Sequence, residues 1–101
     1  MKFFKKLSRS VKGRVAIITG AGSGMGEATA KVFASEGVKV LATDINLEGV
    51  KRVSEEIRSD KGECTPLLLD VTDKSAIDNC IEEALRIYNG IDFIINNAGI
   101  S

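Results

Sequence analysis

The run Thr19-Gly20-Ala21-Gly22-Ser23-Gly24-Met25-Gly26 stands between two segments of different hydrophobic period. Before it, Val15-Ala16-Ile17-Ile18 is an unbroken apolar stretch, the pattern of a short strand buried on both faces. After it, Met25, Ala28, Val32 and Phe33 recur at helical spacing, and Gly37 offers a C-terminal stop. A strand that turns into a helix through so few residues needs backbone conformations open to glycine. The missing side chains also let an anion approach the main chain, where a helix N-terminus presents free N–H donors and the positive end of its dipole. Taken alone, such a loop is also compatible with a tight turn that binds nothing.

The strand–helix alternation continues. Val38-Lys39-Val40-Leu41-Ala42 reads as a second strand, and Leu47, Val50, Val53 and Ile57 mark a second helix that ends near Lys61-Gly62. Leu67-Leu68-Leu69 reads as a third strand, and Pro66, which removes a ladder donor, places it at or near a sheet edge. Thr72 is positioned to cap a third helix with Ile77, Cys80, Ile81, Ala84, Leu85 and Tyr88 on its apolar face and Gly90 at its end. Ile91-Asp92-Phe93-Ile94-Ile95 reads as a fourth strand. Three strand–helix–strand units in a row imply an α/β fold with a parallel sheet. Right-handed crossovers then give a partial Rossmann-type, doubly wound sheet of about four strands in the order 3-2-1-4.

In such a sheet ligands lie beyond the C-terminal strand ends, at the point where strand order reverses. Gly20, Asp44, Asp70 and Asn96 all stand at such ends. Asp44 follows the second strand, where a carboxylate accepts hydrogen bonds from both hydroxyls of an adenosine ribose; it is equally placed to be the N-cap of the next helix, and both roles are possible. A carboxylate there repels a 2′-phosphate, and Ala21, Gly22 and Ile45 offer no basic partner for one, so NAD is expected in preference to NADP. Asn96 and Asn97 suit turn formation as well as a ligand wall.

These residues resemble a known family. Thr19-Gly20-x-x-x-Gly24-x-Gly26 is similar to the cofactor motif of the short-chain dehydrogenases/reductases, although Met25 stands where Gly-x-Gly-x-x-Gly counted from Gly20 would have its third glycine. Asn96-Asn97-Ala98-Gly99 resembles that family's Asn-Asn-Ala-Gly motif, and Asp70-Val71 its adenine-contacting pair. The resemblance covers residues 14–101 and implies a dinucleotide site made of Gly20, Ser23, Gly24, Met25, Gly26, Asp44, Ile45, Asp70, Val71, Asn96, Asn97, Ala98 and Gly99. It also implies hydride transfer between a nicotinamide cofactor and a small carbonyl or alcohol substrate, in a homo-oligomeric parent enzyme. The family's proton-handling set is a serine and a Tyr-x-x-x-Lys, because a tyrosine near its usual pKa of about 10 is a poor base without an adjacent cation. Tyr88 is the only tyrosine, four residues before Asp92 rather than a lysine, and its place on the apolar helix face assigns it to the core. No catalytic residue is assigned, and the chain is expected to be the front portion of such an enzyme, inactive alone. The alternative is a stand-alone nucleotide-binding or interaction module.

Composition sets the remaining bounds. Of 101 residues 44% are apolar and 28% charged, enough to build a small core. The net charge is zero, which argues against nucleic acid as a partner. All acidic residues lie beyond position 26, whereas Lys2, Lys5, Lys6, Arg9 and Lys12 crowd residues 1–13 into a basic tail. That tail fits a disordered extension, a weak amphipathic surface helix or an acid-poor targeting peptide. No apolar stretch is long enough to cross a bilayer. Cys64 and Cys80 match neither a metal spacing nor a disulfide framework, and free thiols fit a reducing cytoplasm, with organellar targeting by the tail left open. With no histidine, imidazole-dependent triads and metal sites are excluded within these residues.

Overall fold

A computed structural model describes residues 11–98. In chain order the elements are β1 (Val15–Thr19), α1 (Gly24–Ser35), β2 (Lys39–Asp44), α2 (Leu47–Ser59), β3 (Glu63–Leu68), α3 (Lys74–Tyr88) and β4 (Phe93–Asn96). The four strands form one parallel sheet in the order β3-β2-β1-β4. The doubly wound arrangement inferred from the alternation of periods is therefore the one observed. Pro66 lies on edge strand β3, in register with Ala42 of β2.

Both faces of the central strands are buried, which is why their sequences do not alternate. Ala16, Ile18, Val40 and Ala42 point to one side, where Ala30 and Ala34 of α1 and Val50, Val53 and Ile57 of α2 close over them. Ile17 and Leu41 point to the other, against Cys80 and Ala84 of α3 and Leu69. Ile18, Val40 and Leu41 are fully buried, each stabilising the fold by roughly 1.5–3 kcal/mol relative to exposure. Cys64 belongs to the first cluster and Cys80 to the second, so the sheet itself separates the two thiols. Burial pushes the Cys64 thiol pKa up and that of Cys80 up to about 11. Tyr88 is half-buried; its hydroxyl shares a hydrogen bond of 2.7 Å with Thr65 Oγ1 and donates to the Val40 carbonyl, tying α3 to the sheet.

Several local expectations are corrected. Of Met25, Ala28, Val32 and Phe33, which recur at helical spacing, Phe33 packs against the first cluster, but Met25 and Val32 are 68% and 49% exposed and Ala28 is exposed as well. The fully buried stripe is Gly26, Ala30 and Ala34, and at Gly26 the helix lies so close to the strand exit that a Cβ would overlap the Gly20 carbonyl oxygen. Strand β3 begins at Glu63, not Leu67, since its ladder with β2 runs from Lys39–Glu63 to Asp44–Leu68 and includes polar residues that an apolar run misses. Likewise β4 occupies Phe93–Asn96, because Asp92 serves as an anchor before the strand: its carboxylate accepts the Val15 N–H at 2.8 Å and pairs with Arg14.

The caps are also displaced. Asp73, not Thr72, caps α3, since a carboxylate reaches two backbone donors, Ser75 and Ala76, from that position. α2 ends near Lys61-Gly62 as expected, with Lys61 left-handed (φ 68°), whereas α3 ends on the left-handed Asn89 (φ 63°), one residue before Gly90. The basic tail was to span residues 1–13. Within the described residues, Val11 packs against the first cluster and the Gly13 N–H donates to the Gly37 carbonyl at 2.9 Å, so residues 11–13 are docked on the body. Residues 1–10 lie outside the described residues.

Candidate functional site

The C-terminal ends of β1 and β4, neighbours through the Thr19–Asn96 register, and of β2 open onto a cleft of about 470 Å³. Gly20, Ser23, Gly24, Met25, Gly26, Asp44, Ile45, Leu69, Asp70, Val71, Asn97 and Ala98 line it. Loops that are far apart in sequence meet here because all the strands run the same way and all end on this side.

The glycine loop has steric reasons for its composition. Gly20 has φ +63°, and a Cβ there would lie 2.9 Å from the Ala98 N atom. A Cβ on Gly26 would overlap the carbonyl oxygen of Gly20, so the first turn of α1 sits directly on the strand exit. Ser23 is the N-cap of α1 but makes no side-chain cap hydrogen bond, which leaves the first-turn N–H groups available to an anion.

Asp44 is the last residue of β2. Its Oδ2 accepts the Gly22 N–H at 2.9 Å and its Oδ1 accepts the Asn46 N–H at 2.9 Å. The N-cap of α2 is Asn46, whose side chain accepts from Gly49 N–H, so Asp44 is not the cap that the sequence allowed it to be. Each Asp44 oxygen keeps a further lone-pair direction for a hydroxyl donor. Across the cleft, Asp70 Oδ1 accepts from both the hydroxyl and the N–H of Thr72, with the hydroxyl bond foremost in holding the carboxyl below the usual carboxylate range.

Thr19 organises the fourth corner. Its hydroxyl donates to Asn96 Oδ1 at 2.7 Å and accepts the N–H groups of Asn97 and Ala98 at 3.1 and 3.3 Å. One buried hydroxyl thus fixes the turn that follows β4. Asn97 Nδ2 is buried with no hydrogen-bond partner among the described residues. A buried donor left this way costs about 1–3 kcal/mol unless a ligand acceptor meets it.

Eleven of the thirteen residues named from sequence line the cleft. Asn96 does not; its side chain is drawn to Thr19 and borders an apolar hollow on the α3 side with Ile17 and Ile94. Gly99 lies outside the described residues. Sequence reasoning missed Thr19 as the anchor of the Asn96–Ala98 turn, Gly22 as the partner of Asp44, and Leu69 as part of the wall. It also missed Arg52: no basic residue adjoins Gly22 in the sequence, yet Arg52 Nη2 donates to the Gly22 carbonyl at 3.3 Å. Nothing local signals that contact, since it spans thirty residues.

Comparisons with known proteins agree with this geometry. Residues 14–101 match the family of short chain dehydrogenases. A 3-oxoacyl-(acyl-carrier-protein) reductase of Thermotoga maritima is 41% identical over 91 residues, which is 90% of this chain and 37% of that protein. A 2,5-dichloro-2,5-cyclohexadiene-1,4-diol dehydrogenase of Sphingobium indicum is 43% identical over 94 residues, 93% of this chain and 38% of that protein. The crystal structure of a hydroxysteroid dehydrogenase from Escherichia coli superposes with a TM-score of 0.86 at 34% identity, covering 88% of this chain and 38% of the other. The chain thus spans somewhat over a third of the length of these relatives. With the motif residues, the strand order and the family match over residues 14–101 in agreement, this chain belongs to the short-chain dehydrogenase family.

Proposed function

We infer that the chain forms the dinucleotide-binding portion of an oxidoreductase, taking NAD in preference to NADP, that interconverts a small alcohol and its carbonyl. The observation that carries this reading is the Asp44 carboxylate at the end of β2, hydrogen-bonded to Gly22 of the glycine loop and bordering the same cleft as the uncapped N-terminus of α1. The donor set fits a dinucleotide: free helix N–H groups suit a pyrophosphate, a carboxylate suits ribose hydroxyls, and the orphaned Asn97 Nδ2 suits a ligand acceptor. In this reading Gly20, Ser23, Gly24, Met25 and Gly26 hold the pyrophosphate, and Asp44 and Ile45 the adenosine ribose. Asp70 and Val71 flank the adenine, and Asn97 and Ala98 complete the cofactor wall, with Asn96 holding their turn through Thr19. The bound cofactor supplies or accepts hydride at its nicotinamide. The residues of this chain bind and orient it and exclude water; none has the proton-handling role, because no serine with a Tyr-x-x-x-Lys occurs in these residues.

The names of the relatives, two dehydrogenases and a reductase, share alcohol–carbonyl interconversion, which supports the substrate class and no particular substrate. Two buried free thiols on opposite sheet faces support a reducing, cytoplasmic setting. β4 is an end strand of the sheet, and its open edge suits pairing with a further strand of the parent enzyme; a homo-oligomeric parent rests on the family resemblance alone. Among the described residues no helix is long and apolar enough to cross a membrane. Titration calorimetry of the chain with NAD, NADP and ADP-ribose tests the reading. Binding of NAD and ADP-ribose with weaker NADP is expected; no binding of any of the three overturns it, and NADP binding as tight as NAD overturns the preference.

A further inference from the structure

We propose that Arg52 is a positioning residue of the dinucleotide site, fixing Gly22 and through it the carboxylate of Asp44; the proposal rests on the cofactor reading above. Glu27 and Lys31 of α1 and Glu56 and Arg52 of α2 form a closed ring. Lys31 contacts Glu27 at 2.7 Å and Glu56 at 2.8 Å, and Arg52 contacts each of the same two carboxylates at 2.7 Å. Single exposed pairs contribute little, but in a ring each long side chain is ordered once for two contacts. The guanidinium is thereby held from two sides, and Nη2, which binds Glu27, also donates to the Gly22 carbonyl at 3.3 Å.

Gly22 is consequently gripped at both ends: its N–H by Asp44 and its C=O by Arg52. The first turn of α2 presses on the same residue, since a Cβ on Gly49 would lie 2.9 Å from the Gly22 oxygen. The ring has a second consequence at α1. Glu27 stands in the first turn of that helix, where its charge would oppose an anion at the N-terminus. Arg52 and Lys31 neutralise it there. Arg52 thus keeps the ribose end of the site in shape and screens the pyrophosphate end from Glu27.

The test compares Arg52→Met, Arg52→Lys and Glu56→Gln with the unaltered chain, by calorimetric titration with NAD, AMP and nicotinamide mononucleotide and by thermal midpoint. Tyr88→Phe, which loses the α3–sheet hydrogen bonds far from the loop, is the stability control. Arg52→Met is expected to weaken NAD and AMP by roughly tenfold and nicotinamide mononucleotide, which meets only the phosphate end that Arg52 screens from Glu27, by less, with Arg52→Lys and Glu56→Gln intermediate. Tyr88→Phe is expected to lower the midpoint without changing the affinities. Should Arg52→Met fail to fold, the lysine and Glu56→Gln variants carry the same graded expectation. Arg52 variants that lower the midpoint yet bind AMP as the unaltered chain does overturn the positioning role while leaving the cofactor reading intact. Failure of the unaltered chain to bind NAD or AMP overturns both.

Discussion

The Gly22 N–H donates to Oδ2 of Asp44 at 2.9 Å, so the residue that ends the second strand grips the loop that follows the first. A Cβ at Gly22 would stand 3.0 Å from that oxygen, and the carboxylate could not close on a larger residue without moving. The carboxylate proposed to meet the ribose therefore also sets the geometry of the glycine loop.

In the proposed reading, Asp44→Ala removes the acceptor for the ribose hydroxyls and the charge that opposes a 2′-phosphate. NAD affinity is expected to fall by roughly tenfold or more while NADP affinity falls less or rises, so the gap narrows. Calorimetric titration of both cofactors measures it. A variant that keeps the full preference would show that discrimination lies elsewhere.

Gly26→Ala places a methyl group on the carbonyl of Gly20, with backbone rather than a flexible side chain in the way. Either α1 moves from the strand exit or the loop opens. A loss of about 2 kcal/mol or more in urea unfolding is expected, together with loss of NAD binding. Alanine at the exposed position Met25 serves as the contrast, with a stability change within about 0.5 kcal/mol.

Acid should weaken the α1–α2 contact. Hydrogen bonding from Arg52, then Lys31, holds the Glu27 carboxyl at about 2, below its ordinary value of 4.5. A carboxylate depressed in the folded state stabilises it fully above the unfolded value, and that contribution is lost as pH falls through the folded value. The thermal midpoint is thus expected to drop between pH 4.5 and 2, and Glu27→Gln to flatten that part of the profile. Glu56, Asp70, Asp73, Glu83 and Asp92 are shifted the same way and leave a residual slope in the variant. Equal slopes in the two proteins would remove Glu27 as a source.

The 101-residue chain alone is expected to oxidise no NADH with a panel of ketones and aldehydes, and to self-associate through β4. Nothing in these residues supplies a tyrosine activated by a lysine; Tyr88 is committed to Thr65 and Val40, and burial raises its pKa. At the sheet edge Ile94 is 59% exposed and Phe93 36%. Ile94→Lys should reduce the associated fraction in light scattering, because charge on an exposed edge opposes strand pairing. Reproducible turnover would force a different active site, and a monodisperse unaltered chain with one sharp thermal transition would remove the edge argument.

The alternation of apolar runs with helical periods was sufficient to establish the parallel α/β sheet and its order, because right-handed crossovers leave few topologies for three such units. Gly20 through Gly26, Asp44, Asp70 and the Asn96–Ala98 turn were legible for a related reason: all stand at strand ends, and a parallel sheet brings those ends to one side. What the sequence could not settle was decided by close approach in space. The buried stripe of α1 is Gly26, Ala30 and Ala34, with Phe33 beside it, rather than Met25, Ala28 and Val32, since at Gly26 the helix start lies directly on the carbonyl of Gly20. The cap and the end of α3 moved by a residue because Asp73 reaches two backbone donors and Asn89 takes the left-handed conformation. Contacts across long separations were silent in the sequence altogether: Thr19 with Asn96, seventy-seven residues apart, and Arg52 with Gly22, thirty apart. Local pattern encodes which way a segment faces and where it ends, but a hydrogen bond between distant residues exists only once the sheet and helices have brought its two partners within 3 Å or so of each other.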